Sequence, residues 1–447
     1  MKQPTEFSKI TLEQLRALMA NAGVKRILMK ELAPNDNAKN QPYLSGSLEV
    51  LNIIPAGEVY VDETKDGNRI MKAALPLDWL QLNGQTVPAP HAKLILYPQY
   101  PEVRFSGFLR GSKGPNEILT TRRPGRLLFF GLTDDRRIVA WATWGDSALA
   151  ENVKSLGQLE SEGVFKRIPI SPAVPMDSRE LLLGELRRIH LLDWIESKRR
   201  TRAGVVPYNA RNGIGYTLEA ELGISNNGIA GPDFEGWEVK ANQVKKFSVI
   251  PPSKKNTLLT PEPDGGEYTH LDLGTFIRRY GYADRRNVAD RLNFGGDFRV
   301  GRRHPLTGLT THLTGYDSVK CVVTDVDGKL ILASDAGTEV ASWSFKKLFS
   351  RWNDKHAKAV YVPGETRLAT TAEYRYGSAV YLCEGTNFNL FLSALAKGLV
   401  IFDPGMKLEF ASTERPHSKK RSQFRILWRD IPKVYHEVSR KELVEDR

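Results

Sequence analysis

The chain reads as two domains of different class: a mostly β domain over residues 1–170 and a mixed α/β domain over 177–447. Three observations divide them. Residues 1–170 carry short apolar runs separated by turns. A proline-rich stretch follows, Ile168-Pro169-Ile170-Ser171-Pro172-Ala173-Val174-Pro175. A helical apolar repeat begins directly after it. Prolines at this density cannot continue a helix or a central strand. At 447 residues, two or three domains with ample core are expected.

In the first part, residues 11–22 have the apolar spacing of a helix. Apolar runs at 26–29, 48–54, 93–97, 103–109, 126–131 and 138–143 then suggest the strands of a barrel or sandwich. Residues 32–41 form a polar, Asn-rich loop. Residues 107–114 and Arg122-Arg123-Pro124-Gly125-Arg126 add basic, flexible chain.

The second part opens with a helix capped by Asp177 or Ser178. Leu181, Leu182, Leu186, Ile189, Leu192 and Ile195 recur at three- and four-residue spacing. It ends in Lys198-Arg199-Arg200-Thr201-Arg202, a run that either grips phosphates or complements the helix C-terminus. Residues 213–224 read as a loop leading into a short helix, with Thr217 as N-cap and Gly223 as terminator. Leu218 and Leu222, four apart, face the core. Glu219 lies one position round, facing the end of a sheet or serving as a first-turn dipole partner.

The chemistry is concentrated in Gly231-Pro232-Asp233-Phe234-Glu235-Gly236-Trp237-Glu238-Val239-Lys240. Residues 237–240 alternate apolar and polar, so Glu238 and Lys240 share one face of a strand while Trp237 and Val239 share the other. Phe234-Glu235-Gly236 reverses the backbone and brings Asp233 alongside Glu238. Two carboxylates and a lysine so placed suit a divalent metal beside a phosphodiester. Hard oxygen ligands with sites left for water describe Mg²⁺. Alone, D-x4-E-x-K recurs by chance, and its plain reading is a solvated strand face.

Downstream, residues 321–326 and 329–332 flank an Asp327-Gly328 turn, a hairpin signal. Strands are expected at 359–362, 379–383 and 424–428, and a core helix over 390–396 closed by Gly398.

In combination, G-x-G-Y-T-L-E at 213–219, L-G-I at 222–224 and P-D-F-x-G-W-E-V-K-A at 232–241 resemble the MvaI/BcnI restriction endonucleases, on the MutH-related branch of the PD-(D/E)xK nuclease superfamily. Residues 257–263, 303–309 and 312–316 add family-like segments, and the resemblance covers roughly residues 180–430. It implies a restriction-endonuclease-like mixed sheet flanked by helices. It also implies Mg²⁺-dependent cutting of double-stranded DNA, leaving 5′-phosphate and 3′-hydroxyl ends, with Mn²⁺ a substitute. Glu219, Asp233, Glu238 and Lys240 match the family's catalytic set. Asp233, Glu238 and the Val239 carbonyl are the expected metal ligands, and Lys240 orients the attacking water.

Composition agrees with a polyanionic partner. Lys+Arg number 64 against 52 Asp+Glu, a formal net charge of +12, which favours DNA through counterion release and steering. The excess falls more heavily beyond residue 175. Cys321 and Cys383 are the only cysteines, excluding a disulfide framework and a cysteine-based zinc site. No apolar run is long enough for a membrane span. The first residues lack signal-peptide character, so a cytoplasmic protein is expected.

Base readers need Arg, Lys, Asn, Gln or His side chains in a groove. Arg303 and His304 lie in one family-like segment and His312 in the next. His417, Lys420, Arg421 and Arg425 lie near the C-terminus, with His417, Arg421 and Arg425 the strongest candidates and Lys420 also suited to a phosphate. His304, before a proline, equally suits a satisfied turn. The expected function is a sequence-specific endonuclease in restriction or phage defence. The alternatives are a DNA-binding or sensing subunit of a defence complex and a MutH-like strand nickase. The N-terminal domain is either a second DNA-binding or regulatory module, contacting a second DNA copy or a protein partner, or a stabilising domain.

Overall fold

A computed structural model of the chain describes residues 10–34, 41–45, 50–51, 53–64, 67–97, 102–170, 178–201, 203–210, 212–224, 233–247, 250–353 and 358–444. The Asn-rich loop beyond Pro34, the prolines after Ile170, Asp177, Arg202 and Gly231-Pro232 lie outside these. The chain divides into two compact units, Met1–Asp177 and Ser178–Arg447.

The N-terminal unit is mostly strand, as expected. Its helix, Leu12–Asn21, begins with a reciprocal cap: the Gln14 N–H donates to the Thr11 hydroxyl, and the Thr11 N–H donates to Gln14 Oε1 at 2.9 Å. Leu15 and Met19, four apart, enter a core with Ile27, Phe129, Val139 and Trp141. The strands Val24–Leu32, Arg126–Thr133 and Ile138–Thr143 lie side by side, antiparallel, in the middle of a seven-stranded sheet. The last two are buried along nearly their whole length, which is why they read as continuous apolar runs rather than alternating ones. A five-stranded sheet is ordered Tyr43–Ser45, Glu102–Ser106, Lys93–Tyr97, Arg69–Ala74 and Val59–Glu63.

Two expectations in this unit are corrected. The apolar run at 48–54 is not a strand where described: the Ile54 N–H donates to the Val50 carbonyl at 3.1 Å, forming a helical turn that buries Val50, Leu51, Ile53 and Ile54. A short apolar run does not by itself separate strand from helix. Arg126 is not flexible surface. It is fully buried and donates to the carbonyls of Ala33, Ile118 and Leu119, tying three loop segments together.

The C-terminal unit is mixed α/β. Its main sheet runs Ile195–Glu196, Ala372–Tyr376, Lys358–Leu368, Ala379–Glu384, Glu437–Glu442, and the strand Glu238–Gln243 pairs in parallel with Lys358–Leu368. Helices Ser178–Leu191 and Gly213–Glu221 supply Leu182, Leu186, Ile189, Ile214 and Leu218 to its core, joined by Leu222 at the end of the second, against Trp237, Val239, Val360 and Val362. A three-stranded sheet, Lys255–Leu259, Phe424–Leu427 and Val400–Phe402, stands beside it in the same unit. The helix Phe388–Ala396 is capped by Asn387, whose side chain accepts from the Leu390 N–H, and is followed by Gly398 at φ 66°.

The first helix of this unit ends at Leu191, not Ile195, because Asp193 takes a left-handed φ of 52° and Ile195 joins a strand opposite Tyr374. The basic run after it is no helix end: Lys198–Thr201 forms a hairpin with Gly204–Pro207. The Asp327-Gly328 turn is real, but its flanks do not pair with each other. Val322–Val323 pairs with Tyr316–Asp317, whereas Lys329–Ala333 lies between Thr310–Leu313 and Glu339–Ser344. Among the described residues no helix is long and apolar enough to cross a membrane.

Candidate active site

Two local devices build the site. The first is the helix Gly213–Glu221. It starts at Asn212 rather than Thr217, which is buried inside it. The Lys198 N–H donates to the Thr217 hydroxyl, which donates back to the Lys198 carbonyl, fastening the helix to the basic hairpin. The helix closes as the sequence suggests. Gly223, at φ 76°, donates to the Ala220 carbonyl, and Ile224 to the Glu219 carbonyl at 2.9 Å, the double bond of a glycine-terminated helix.

The second device is a tight hairpin. Phe234 and Trp237 exchange both backbone hydrogen bonds, at 2.9 and 2.7 Å, around Glu235 and Gly236. These two have φ of 46° and 88°, the doubly left-handed backbone of a two-residue turn whose twist suits a hairpin. The reversal lays Asp233 against the following strand, where its Oδ2 accepts the Val239 N–H at 2.9 Å.

Alternation then sorts the side chains. Trp237 and Val239 are buried in the core. On the opposite face the Lys240 ammonium bonds Glu238 Oε1. Glu238 is buried at 2% exposure while Lys240 reaches the surface. Burial opposes the charge on Lys240, but Glu238, Asp233 and Glu219 outweigh it and hold its proton above the ordinary lysine range. Glu219, Asp233, Glu238 and Lys240 therefore form one electrostatic cluster, drawn from a helix, a turn and a strand.

Glu238 and Lys240 open into a cleft of about 510 Å³. Asn242, next on the same strand face, lines it too. So do Thr257 and Thr260 of the family-like segment, together with Lys254, Lys255 and Arg351. The sequence reading missed Asn242, Lys254, Lys255 and Arg351. Asn242 was within reach, being two residues beyond Lys240. Arg351 comes from the helix Phe345–Asn353, and no local pattern links it to the site. Lys254 donates to the Gln243 carbonyl at 3.0 Å; burial and nearby Arg425 weaken its hold on its proton.

The base-reading candidates scatter. Arg425 sits beside the cleft, opposite Thr257 in the strand pairing, and bonds Asp403 at 2.8 Å and the Lys255 carbonyl at 3.2 Å. Exposed His417 and Lys420 approach Glu409 and Glu262 at 3.6 and 3.4 Å. Arg421 donates to Gln423. Arg303 pairs with Asp335 through two bonds, at 2.6 and 3.1 Å. His312 is exposed on the strand Thr310–Leu313. His304 is the exception: it is buried, stacks on Phe298 at 4.2 Å, and sits 3.0 Å from the Thr307 hydroxyl through Nδ1. The structure packs it as a turn histidine.

Among the described residues, no group of three or more His, Cys, Asp or Glu side chains stands close enough to hold a metal. The donor set at this site is two carboxylates, which fits a hard cation that keeps several waters and is completed by substrate oxygens.

The class is that of a DNA-cleaving nuclease. A model of the MvaI/BcnI restriction endonuclease family matches residues 183–435, from within the first helix of the C-terminal unit to the segment before its last strand. The chain belongs to the MvaI/BcnI restriction endonuclease family. Among solved structures it is similar to the restriction endonuclease MvaI in complex with its cognate DNA substrate. That match has 17% identity and a TM-score of 0.44, over 60% of this chain and 100% of that one. MvaI in the absence of DNA matches with 17% identity and a TM-score of 0.32, over 60% and 98%. No curated protein matches the chain.

Proposed function

We propose that this chain is a Mg²⁺-dependent, sequence-specific endonuclease of the type II kind. It hydrolyses phosphodiester bonds of double-stranded DNA in cytoplasmic defence against phage. The observation that carries the reading is the convergence of Glu219, Asp233 and Glu238 on Lys240 at the head of a basic cleft. Asp233 and Glu238, with the Val239 carbonyl, would hold the metal. When bound, it acidifies a water and offsets charge building on the phosphate. Lys240 orients the attacking water and balances the phosphate's charge, and its proton is held chiefly by Glu238, with Asp233 and Glu219 adding to that. Lys254 and Arg351 attract and seat the DNA backbone; Lys255, paired with Asp297 and Asp403, braces the cleft wall. Sequencing the ends produced from a long DNA in Mg²⁺ tests this. A recurrent short sequence at the cut ends supports it, and ends scattered without sequence preference contradict it.

The N-terminal unit is assigned a DNA-binding or regulatory role, toward a second DNA copy or a protein partner. Exposed Arg122 supports this; neighbouring Arg123 lies 5.2 Å over the Trp144 ring and is partly matched by Asp146 at 2.6 Å. Reversing both charges should weaken DNA binding without altering the cut site. Unchanged binding would leave the unit a stabilising one.

A further inference from the structure

Asn242 is the third member of the strand face that carries Glu238 and Lys240, and the nuclease reading gives it no task. Its side chain is 4% exposed. It lines the same cleft as those two residues, and its Nδ2 has no hydrogen-bond partner among the described residues. A buried amide donor left unpaired opposes folding, so its retention asks for an acceptor outside the fold. The neighbouring Asn256, also buried in the cleft wall, behaves differently: its Nδ2 donates to the Lys254 carbonyl at 3.3 Å. Of the two, Asn242 is the one whose donor finds no acceptor among the described residues.

The surroundings specify the acceptor. Two residues along a strand advance roughly 6.6 Å, so Asn242 stands one regular step beyond Lys240, on the scale of one nucleotide of a DNA strand. Lys254 and Arg351 share the cleft and give it a polyanion's complement, while Lys255 is held by Asp297 and Asp403. A neutral amide on a rigid strand among these cations is suited to a backbone oxygen, because contacts of this kind fix register without reading sequence. We propose that Asn242 is a DNA-positioning residue whose Nδ2 donates to a nonbridging oxygen of the phosphate neighbouring the scissile one. The word scissile rests on the nuclease reading; the phosphate contact itself does not.

The test uses the full chain, a short random-sequence duplex and a supercoiled plasmid. Binding to the duplex is measured against salt concentration, without divalent metal, for wild type, Asn242→Lys and Asn242→Asp. Each variant's thermal melting is checked first. A lysine facing a phosphate should steepen the slope of log K against log salt by about 0.9. An aspartate there should weaken low-salt binding about tenfold. A purely structural asparagine moves neither quantity once the fold is intact. If Asn242→Lys does not fold, the Asn242→Asp arm decides alone. Wild-type slope and affinity in the folded variants overturn the proposal. The plasmid, incubated with wild type and Mg²⁺, separates the two readings. Altered binding with an uncut plasmid keeps the phosphate contact and sinks the nuclease reading. A cut plasmid with unaltered binding does the reverse.

Discussion

Asp233 and Val239 meet across a two-residue turn, the carboxylate Oδ2 accepting the Val239 N–H at 2.9 Å. That bond fixes one expected metal ligand to the backbone of the strand bearing the other. The turn between them needs left-handed backbone at both Glu235 and Gly236, a conformation glycine adopts freely and most residues do not.

Gly236→Val should therefore cost about 1–3 kcal/mol of stability and reduce DNA cleavage by more than the loss of folded protein explains, because Asp233 is displaced. Glu235→Gly should be neutral or mildly stabilising and leave cleavage intact. Chemical denaturation paired with single-turnover cleavage checks both. A fully active Gly236→Val would show that the turn does not position Asp233.

Lys240 sets a pH expectation. Burial works against its charge, yet Glu238, Asp233 and Glu219 raise its folded-state proton affinity above the ordinary value of 10.5. A raised value means that its stabilisation is fully present below 10.5 and fades as pH climbs through the folded value. The stability difference between wild type and Lys240→Met, measured without metal, should stay level through neutral pH and shrink only in strongly alkaline solution. A difference that collapses near neutrality would contradict the cluster.

His304 runs the other way. Burial lowers its proton affinity below the ordinary 6.5, with Asp297 acting weakly against that. The unfolded chain then binds more protons, so this residue's share of stability is kept above pH 6.5 and lost as pH falls through 6.5 toward the folded value. Asn at this position keeps an acceptor for the Thr307 hydroxyl and cannot titrate. His304→Asn should flatten the acid-side fall in melting temperature while leaving DNA affinity unchanged. A large affinity loss with unaltered acid stability would return His304 to the groove.

The cleft cations should differ from the surface ones. Arg351→Ala and Lys254→Ala should each reduce the salt slope of DNA binding by about 0.9 for every phosphate the side chain neutralises. Arg303→Ala should change it little, its charge being matched by Asp335. Arg425→Ala should also destabilise the fold by about 1–3 kcal/mol, since Asp403 and the Lys255 carbonyl lose a donor. Equal slopes for all four variants would detach the cleft from DNA.

Much of the site was legible because its logic is local. Alternation placed Glu238 beside Lys240 and turned Trp237 inward, and Gly236 marked the turn that returns Asp233. Gly223 marked the helix end carrying Glu219. What escaped was set by distant contacts. Thr217 looks like a cap in sequence, but Lys198, reached only through folding, occupies its hydroxyl. Lys198–Thr201 looks like a helix tail because charge does not distinguish a tail from a hairpin, and the left-handed Asp193 decides the matter. Asp327-Gly328 supplies a turn, but strand partners are chosen by the buried faces of Leu330 and Leu332, not by the turn. His304 became a packed residue only once Phe298 was brought against it, and Arg351 joined the cleft from a helix more than a hundred residues downstream of Lys240.

The most direct measurement is the conversion of a supercoiled plasmid to nicked and linear forms by wild type, Asp233→Asn and Lys240→Ala, with Mg²⁺ and with chelator. The account predicts cutting by wild type in Mg²⁺ alone, none by either variant, and retained DNA binding by both. Equal cutting by wild type and either variant, or cutting that survives the chelator, would contradict it.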